Sequence, residues 1–288
     1  MIAVPFEYEA PTTVEEAIRL LSEFGDRGRV LAGGHSLIPI MKLRLAQPEV
    51  LIDIGRVGAL RYVRAEGDRL AIGALTTHAQ VLSDPAIGER CAVLAETAGH
   101  IGDPQVRNRG TLGGALAHAD PAADYPATIL ALDAEIVAQG PRGRRTIAAP
   151  GFFTGLFTTA LAPDELLVEV RVPVLGPGSG GAYAKRPNPA SHYAVVGVAA
   201  VVRLEGGRVT SVSIGVTGAG AQPSRAAAAE RALLGQGPTD DTIARAAALA
   251  AEGIDLLSDI HGSAEYRADM VRVYTRRTIR EAIRRAGG

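Results

Sequence analysis

Residues 30–40 read VLAGGHSLIPI: an apolar run ends in Gly33-Gly34, and His35 and Ser36 stand directly behind the glycines. Glycine costs backbone entropy and adds no packing, so a pair at a strand end marks a tight path or a close approach. The stretch lacks the G-x-G-x-x-G spacing of a Rossmann turn. A diglycine bend can still present successive backbone N–H groups to one oxyanion, and Ser36 adds a hydroxyl donor. A plain turn between strand and helix is the simpler account of these residues alone.

A second bend changes the balance. Residues 108–121, NRGTLGGALAHADP, place Gly113-Gly114 behind an apolar residue, with Thr111 ahead as a hydroxyl donor. Two such loops suit a ligand whose diphosphate is gripped from both sides, which points to a dinucleotide. Asp124 can accept hydrogen bonds from ligand hydroxyls. It is also placed to cap the helix that begins at Tyr125, with Pro126 in the first turn.

The chain around these loops reads as mixed α and β. A strand over Phe6–Tyr8 precedes a helix opened by a Thr13/Glu16 capping box and closed by Gly25. Its apolar residues Val14, Ala17, Ile18 and Leu21 recur at helical spacing. A strand leads into the first bend, a short helical piece follows it, and residues 50–54 form another buried strand. Hairpins are expected around Glu66-Gly67-Asp68 and around the GPRG at 140–143. One helical stretch is expected over 86–99, and residues 102–126 read as a long functional loop. Residues 173–181, seven of nine being Gly, Pro or Ser, read as a linker. Beyond it a three-stranded antiparallel sheet and alanine-rich helices make a smaller C-terminal lobe, so the class is α+β.

Composition excludes several functions. A net charge of -1 over 288 residues argues against a nucleic-acid surface. The seven arginines from Arg267 to Arg285 alternate with Glu265, Asp269 and Glu281, as on a solvated helix face. One cysteine, Cys91, allows no internal disulfide and no cysteine-held cluster or zinc site within this chain. The histidines at 78, 100, 118, 192 and 261 show no metal spacing, so no metal ligand is expected. The apolar run at 194–202 is about half of the ~20 residues of a membrane span. No signal peptide is apparent, so a cytoplasmic protein without a membrane span is expected.

LAGGHSLIPIMKLRLA, IGDPQVRNRGTLGGALAHADPAADYP, GFFTGLFTTALAPDELLVEVRVP and SDIHGSAEYR resemble the medium, FAD-binding subunit of the molybdenum hydroxylases. That group includes aerobic carbon monoxide dehydrogenase, quinoline 2-oxidoreductase and the flavin domain of xanthine dehydrogenase. The resemblance spans nearly the whole chain. It implies an FAD-binding fold of the vanillyl-alcohol oxidase (PCMH) type over residues 1–175, with α/β subdomains of about 1–55 and 56–175. A flavoprotein C-terminal domain of a three-stranded antiparallel sheet and helices follows at 176–288. It further implies that Ala32, Gly33, Gly34, His35 and Ser36 wrap the FAD diphosphate, and that Thr111, Leu112, Gly113, Gly114 and Ala115 close on it. A bulky residue at Gly33 or Gly114 would then fill the diphosphate's space.

By the same resemblance Asp124 bonds the ribose or ribityl chain, Ile101 lies near the flavin, and Leu167 packs near the adenine end. Lys185 is a cation near the ring and Tyr193 an aromatic beside it. The FAD is non-covalent, so His35 is a binding and not a linking residue, and no catalytic residue is expected in this chain. The implied activity is that of an electron-transfer oxidoreductase subunit, of the carbon monoxide dehydrogenase type first. The medium subunit of an N-heterocycle or aldehyde hydroxylase and a stand-alone flavin oxidase are the alternatives. The implied partners are a small subunit with [2Fe-2S] clusters and a large subunit with molybdopterin, in a dimer of heterotrimers. The implied acceptor is a quinone, oxygen or NAD, and the complex can associate with the inner face of the membrane.

Overall fold

The computed structural model describes residues 2–287. Three hydrophobic cores follow one another along the chain, each under its own sheet. The first sheet is parallel, with Val50–Asp53 between Glu7–Glu9 and Gly28–Leu31. Its covering helix, Val14–Phe24, starts where the sequence indicates: the Thr13 hydroxyl accepts from the Glu16 N–H at 3.1 Å. The Glu16 carboxylate reaches one residue further back than a capping box requires, to the Thr12 N–H. Ala17, Ile18 and Leu21 face the sheet and are buried with Ile52. An Ile18→Ala change there would cost roughly 2–4 kcal/mol.

The second sheet is antiparallel, in the order Val63–Glu66, Arg69–Gly73, Leu166–Pro173, Glu135–Gly140, Gly143–Ala148. Both expected hairpins form its edges. The expected helix over 86–99 is two, Pro85–Arg90 and Ala92–His100, because Cys91 leaves helical geometry at φ -150°, ψ 54°. Asp84 caps the first through the Ala86 and Ile87 N–H groups. The long loop of 102–126 is also more regular than expected. It carries the helices Pro104–Arg107, capped by Asp103, and Leu112–His118, capped by Thr111, and it runs into Tyr125–Ala131. Side-chain caps that satisfy end N–H groups let such short helices form.

The third sheet has four strands where three were expected: Ser179–Pro187, Ala194–Glu205, Arg208–Thr217 and the two-residue Ser224–Arg225. The last is held by Arg225, whose guanidinium bonds Asp133, Glu230, Ser213 and the Leu130 carbonyl. The first strand begins inside the expected linker, at Ser179. The long helix Ala264–Arg285 lies against this sheet, in a core shared with Ala227–Leu233 and Asp240–Ala248. Helix Tyr125–Ala131 joins the second core to the third sheet and is buried at every residue. A Cβ on Gly215 would lie 1.9 Å from the Ala127 carbonyl oxygen, so only glycine permits that approach.

Candidate functional site

The first bend, Ala32–Ser36, leaves the first sheet at Leu31 and enters the short helix Leu37–Lys42. Gly34 takes φ +77°, the left-handed region that favours glycine. Among the described residues the backbone N–H groups of Gly33, Gly34, His35, Ser36 and Leu37 find no acceptor. His35 is exposed, and its Nδ1 donates to the Gly33 carbonyl at 3.0 Å, which fixes the ring at the outer edge of the bend. The Ser36 hydroxyl makes no capping bond.

The second bend meets the first directly. A Cβ on Gly33 would lie 2.3 Å from the Arg109 carbonyl oxygen and 2.7 Å from the Gly110 Cα. The absent side chain at Gly33 therefore serves loop-on-loop contact, which corrects the expectation that it leaves space for a ligand. Gly113 is committed in the same way: its Cβ would lie 2.5 Å from that of Ala74, whose carbonyl accepts the Gly113 N–H. A Cβ on Gly114 would press on the Thr111 hydroxyl at 2.7 Å and lie 3.6 Å from the Ala32 Cβ of the first bend. Thr111 is buried and caps the helix through the Gly114 N–H at 3.1 Å. Leu112 is fully buried, and Ala115 is half-buried beside Gly114.

Beneath the second bend lies His78, one of the histidines to which the sequence assigns no site role. Its N–H donates to the Gly110 carbonyl, and a Cβ on Gly110 would touch its Nε2. The neighbouring Thr77 and Thr111 form a β-bridge. Burial, with the nearby charges of His35 and Arg107, lowers the His78 pKa to about 4. Its ring packs on Tyr125 at 5.3 Å between centroids.

The remaining expected residues divide into three groups. Tyr193 is 40% exposed. Burial of its phenol, together with Asp120, raises its pKa, while the nearby Ser36 hydroxyl of the first bend opposes the rise. Its phenol thus stands near the Ser36 hydroxyl of the diglycine loop. Ile101 ends helix Ala92–His100 half-buried, its carbonyl held by the Arg107 guanidinium at 3.0 Å. Leu167 lies elsewhere: it is 4% exposed on the central strand of the second sheet and packed in the core. The carbonyl of its neighbour Val168 accepts from Ala74, so Leu167 belongs to the floor below the second bend and offers almost no face to a ligand.

Asp124 and Lys185 come together, but with each other. The Lys185 ammonium lies 2.8 Å from Asp124 Oδ1 and 3.0 Å from Oδ2, and the two side chains are 4% and 6% exposed. The Tyr183 hydroxyl also donates to Asp124. Asp124 makes no helix-capping bond, although it precedes Tyr125. Burial raises its pKa, and Lys185 and Tyr183 oppose the rise. Tyr183 carried a readable signal, since it sits two residues before Lys185 and so on the same face of one strand. The carbonyls of His100 and His192, which also accept from Lys185, carried none.

On the far side of Tyr193 a cavity of about 280 Å³ is lined by Asp120, Asn188, Tyr193, Asp259, His261 and Arg267. The SDIHGSAEYR segment builds its wall. Asp259 accepts from the His261 and Gly262 N–H groups and from the buried Arg267, which also holds the Val195 and Gly218 carbonyls. Among the described residues no three His, Cys, Asp or Glu side chains are grouped to hold a metal ion. No described helix is long and apolar enough to cross a membrane.

These residues fit a dinucleotide. A run of unpartnered N–H groups lies beside a capped helix start, with the Arg107 guanidinium nearby, and such an array suits a diphosphate dianion.

Comparison with known proteins agrees. Residues 4–175 match the family described as the FAD binding domain in molybdopterin dehydrogenase. Residues 181–282 match the CO dehydrogenase flavoprotein C-terminal domain. The carbon monoxide dehydrogenase medium chain of Hydrogenophaga pseudoflava is 42% identical over 98% of each chain. Subunit alpha of the 6-hydroxypseudooxynicotine dehydrogenase complex of Paenarthrobacter nicotinovorans is 41% identical over 98% of this chain and 95% of its own. The solved Hydrogenophaga pseudoflava carbon monoxide dehydrogenase lacking the Mo-pyranopterin moiety superposes with a TM-score of 0.97, at 44% identity over 99% of each chain. The chain thus belongs to the FAD-binding proteins of the molybdopterin dehydrogenases, the molybdenum hydroxylase family whose medium subunits its glycine loops resemble.

Proposed function

We propose that this chain is the FAD-carrying electron-transfer subunit of a heterotrimeric molybdenum hydroxylase of the carbon monoxide dehydrogenase type. Its partners would be a small subunit with [2Fe-2S] clusters and a large molybdopterin subunit, as a dimer of heterotrimers in the cytoplasm, associated with the inner face of the membrane. The observation that carries the reading is the contact of the two diglycine bends, with five consecutive unpartnered N–H groups along the first. FAD, when bound, exchanges electrons singly or in pairs and so joins one-electron clusters to a two-electron acceptor such as a quinone, oxygen or NAD.

The chain's own residues bind and orient. In the bend Ala32 to Ser36 and at Leu37 beyond it, the free N–H groups of Gly33 to Leu37 are offered to the diphosphate, and Thr111 to Ala115, whose N–H groups from Leu112 on are bonded within the chain, close the seat by shape. Arg107 supplies positive charge near that dianion, and His35, its Nδ1 on the Gly33 carbonyl, borders the seat. Ile101 and Tyr193 border the ring, Asp124 and Lys185 brace it from behind as a neutralised pair, and Leu167 supports the floor. No side chain of this chain acts on the oxidised substrate.

The complex purified with this chain should contain about one FAD per copy, released by acid because the bond is non-covalent. Gly114→Val should abolish flavin retention while the chain still assembles, since its side chain would push on the Thr111 cap at 2.7 Å and crowd Ala32 of the first bend at 3.6 Å. A complex that holds iron and molybdenum without flavin, or a Gly114→Val complex with full FAD, overturns the reading. Carbon monoxide should bleach the flavin band of the oxidised complex. Bleaching by an N-heterocycle instead would reassign the substrate and leave the role of this chain intact.

A further inference from the structure

We propose that Lys185 is a positioning residue for Tyr193, acting through the backbone in front of it, and not a direct ligand of the flavin ring. The inference rests on the reading of Tyr193 as the aromatic neighbour of the flavin. An ammonium has three N–H donors and no acceptor. Those of Lys185 are taken by the His100 carbonyl at 2.9 Å, the His192 carbonyl at 2.6 Å and the Asp124 carboxylate. With 4% of the side chain exposed, neither a free donor nor an open face remains for a ring atom.

The three acceptors come from three places. His100 ends helix Ala92–His100, Asp124 heads helix Tyr125–Ala131, and His192 immediately precedes Tyr193. His192 stands at φ +61°, a left-handed conformation that a non-glycine residue keeps only when its surroundings hold it there. Its carbonyl is held by Lys185, and its N–H donates to the Asn188 carbonyl. The Asn188 N–H donates to the Tyr193 carbonyl, and the Asn188 side chain accepts from the Ala190 and Ser191 N–H groups. The segment 188–193 is therefore a closed clip with Lys185 as its anchor to the FAD-binding lobe. The Ala194 N–H to the Ala122 carbonyl and the Asn188 amide to His261 also tie the clip, but among the described residues only Lys185 holds the His192 carbonyl directly before Tyr193.

The test uses the FAD-loaded complex, with K185M/D124N as the main variant because it leaves no lone buried charge. Amide exchange at Asn188, His192 and Ala194 should quicken by about ten-fold or more while the helix Val14–Phe24 keeps its protection. The flavin absorption band should shift as it does in Y193L, and combining all three substitutions should add nothing further. Unchanged exchange in the clip overturns the proposal, as does a K185M/D124N band shift that adds fully to that of Y193L, since Lys185 would then act on the ring directly. If Y193L leaves the band unmoved, the reading of Tyr193 fails, and the exchange measurement alone then decides whether Lys185 anchors the clip.

Discussion

The His78 imidazole lies beneath Gly110 with 5% of its surface exposed, and burial lowers its pKa from 6.5 to about 4. The folded chain keeps this ring neutral where the unfolded chain takes up a proton, so the unfolded state binds more protons between those two values. Stability is therefore full above pH 6.5, falls as the pH drops toward 4, and levels off below, for a total of about 3 kcal/mol. Urea unfolding of the parent and of His78→Gln should diverge by about 2 kcal/mol between pH 7 and pH 5, the parent losing more. Parallel curves would show that the ring is not held neutral. Little of this was legible in the sequence, because burial of a single histidine depends on which backbone is laid over it. The glycine pairs were legible, yet Gly33 and Gly113 turned out to serve contacts within the chain. A sequence shows that a Cβ is missing but not what stands in its place.

Elements with strong local signals appear where the sequence puts them: the capped helix Val14–Phe24, both hairpins and the long strands of the third sheet. Those that depend on tertiary contacts do not. Nothing local breaks the run 86–99 at Cys91, and the strand Ser224–Arg225 exists only because Arg225 is bound from four sides. The thiol at the helix junction is fully buried, and burial pushes its pKa up to about 12. Iodoacetamide should label Cys91 in the native chain roughly a thousandfold more slowly than in the urea-unfolded chain, since only opened molecules expose a thiolate. Prompt labelling of the native chain would mean that the junction between Pro85–Arg90 and Ala92–His100 opens by itself.

Across the whole molecule the second and third cores are joined along helix Tyr125–Ala131, with Gly215 against Ala127 and Arg225 spanning Asp133, Glu230 and the Leu130 carbonyl. Arg225→Ala would leave the partly buried Glu230 without its cation, at a cost of about 3 kcal/mol. For a chain of this size that predicts a fall in Tm of roughly 5 °C by circular dichroism. A fall within about 1 °C would place the strength of the seam in the apolar contacts alone. The α+β class and a separate C-terminal lobe were readable from composition and hairpin spacing, whereas this seam was not, because its partners lie about ninety residues apart. The meeting of the two diglycine bends has a wider effect. Each bend belongs to a different layer, so the seat proposed for the dinucleotide is also the joint between those layers. Whatever loosens the joint, however distant, loosens the grip on the cofactor by the same movement.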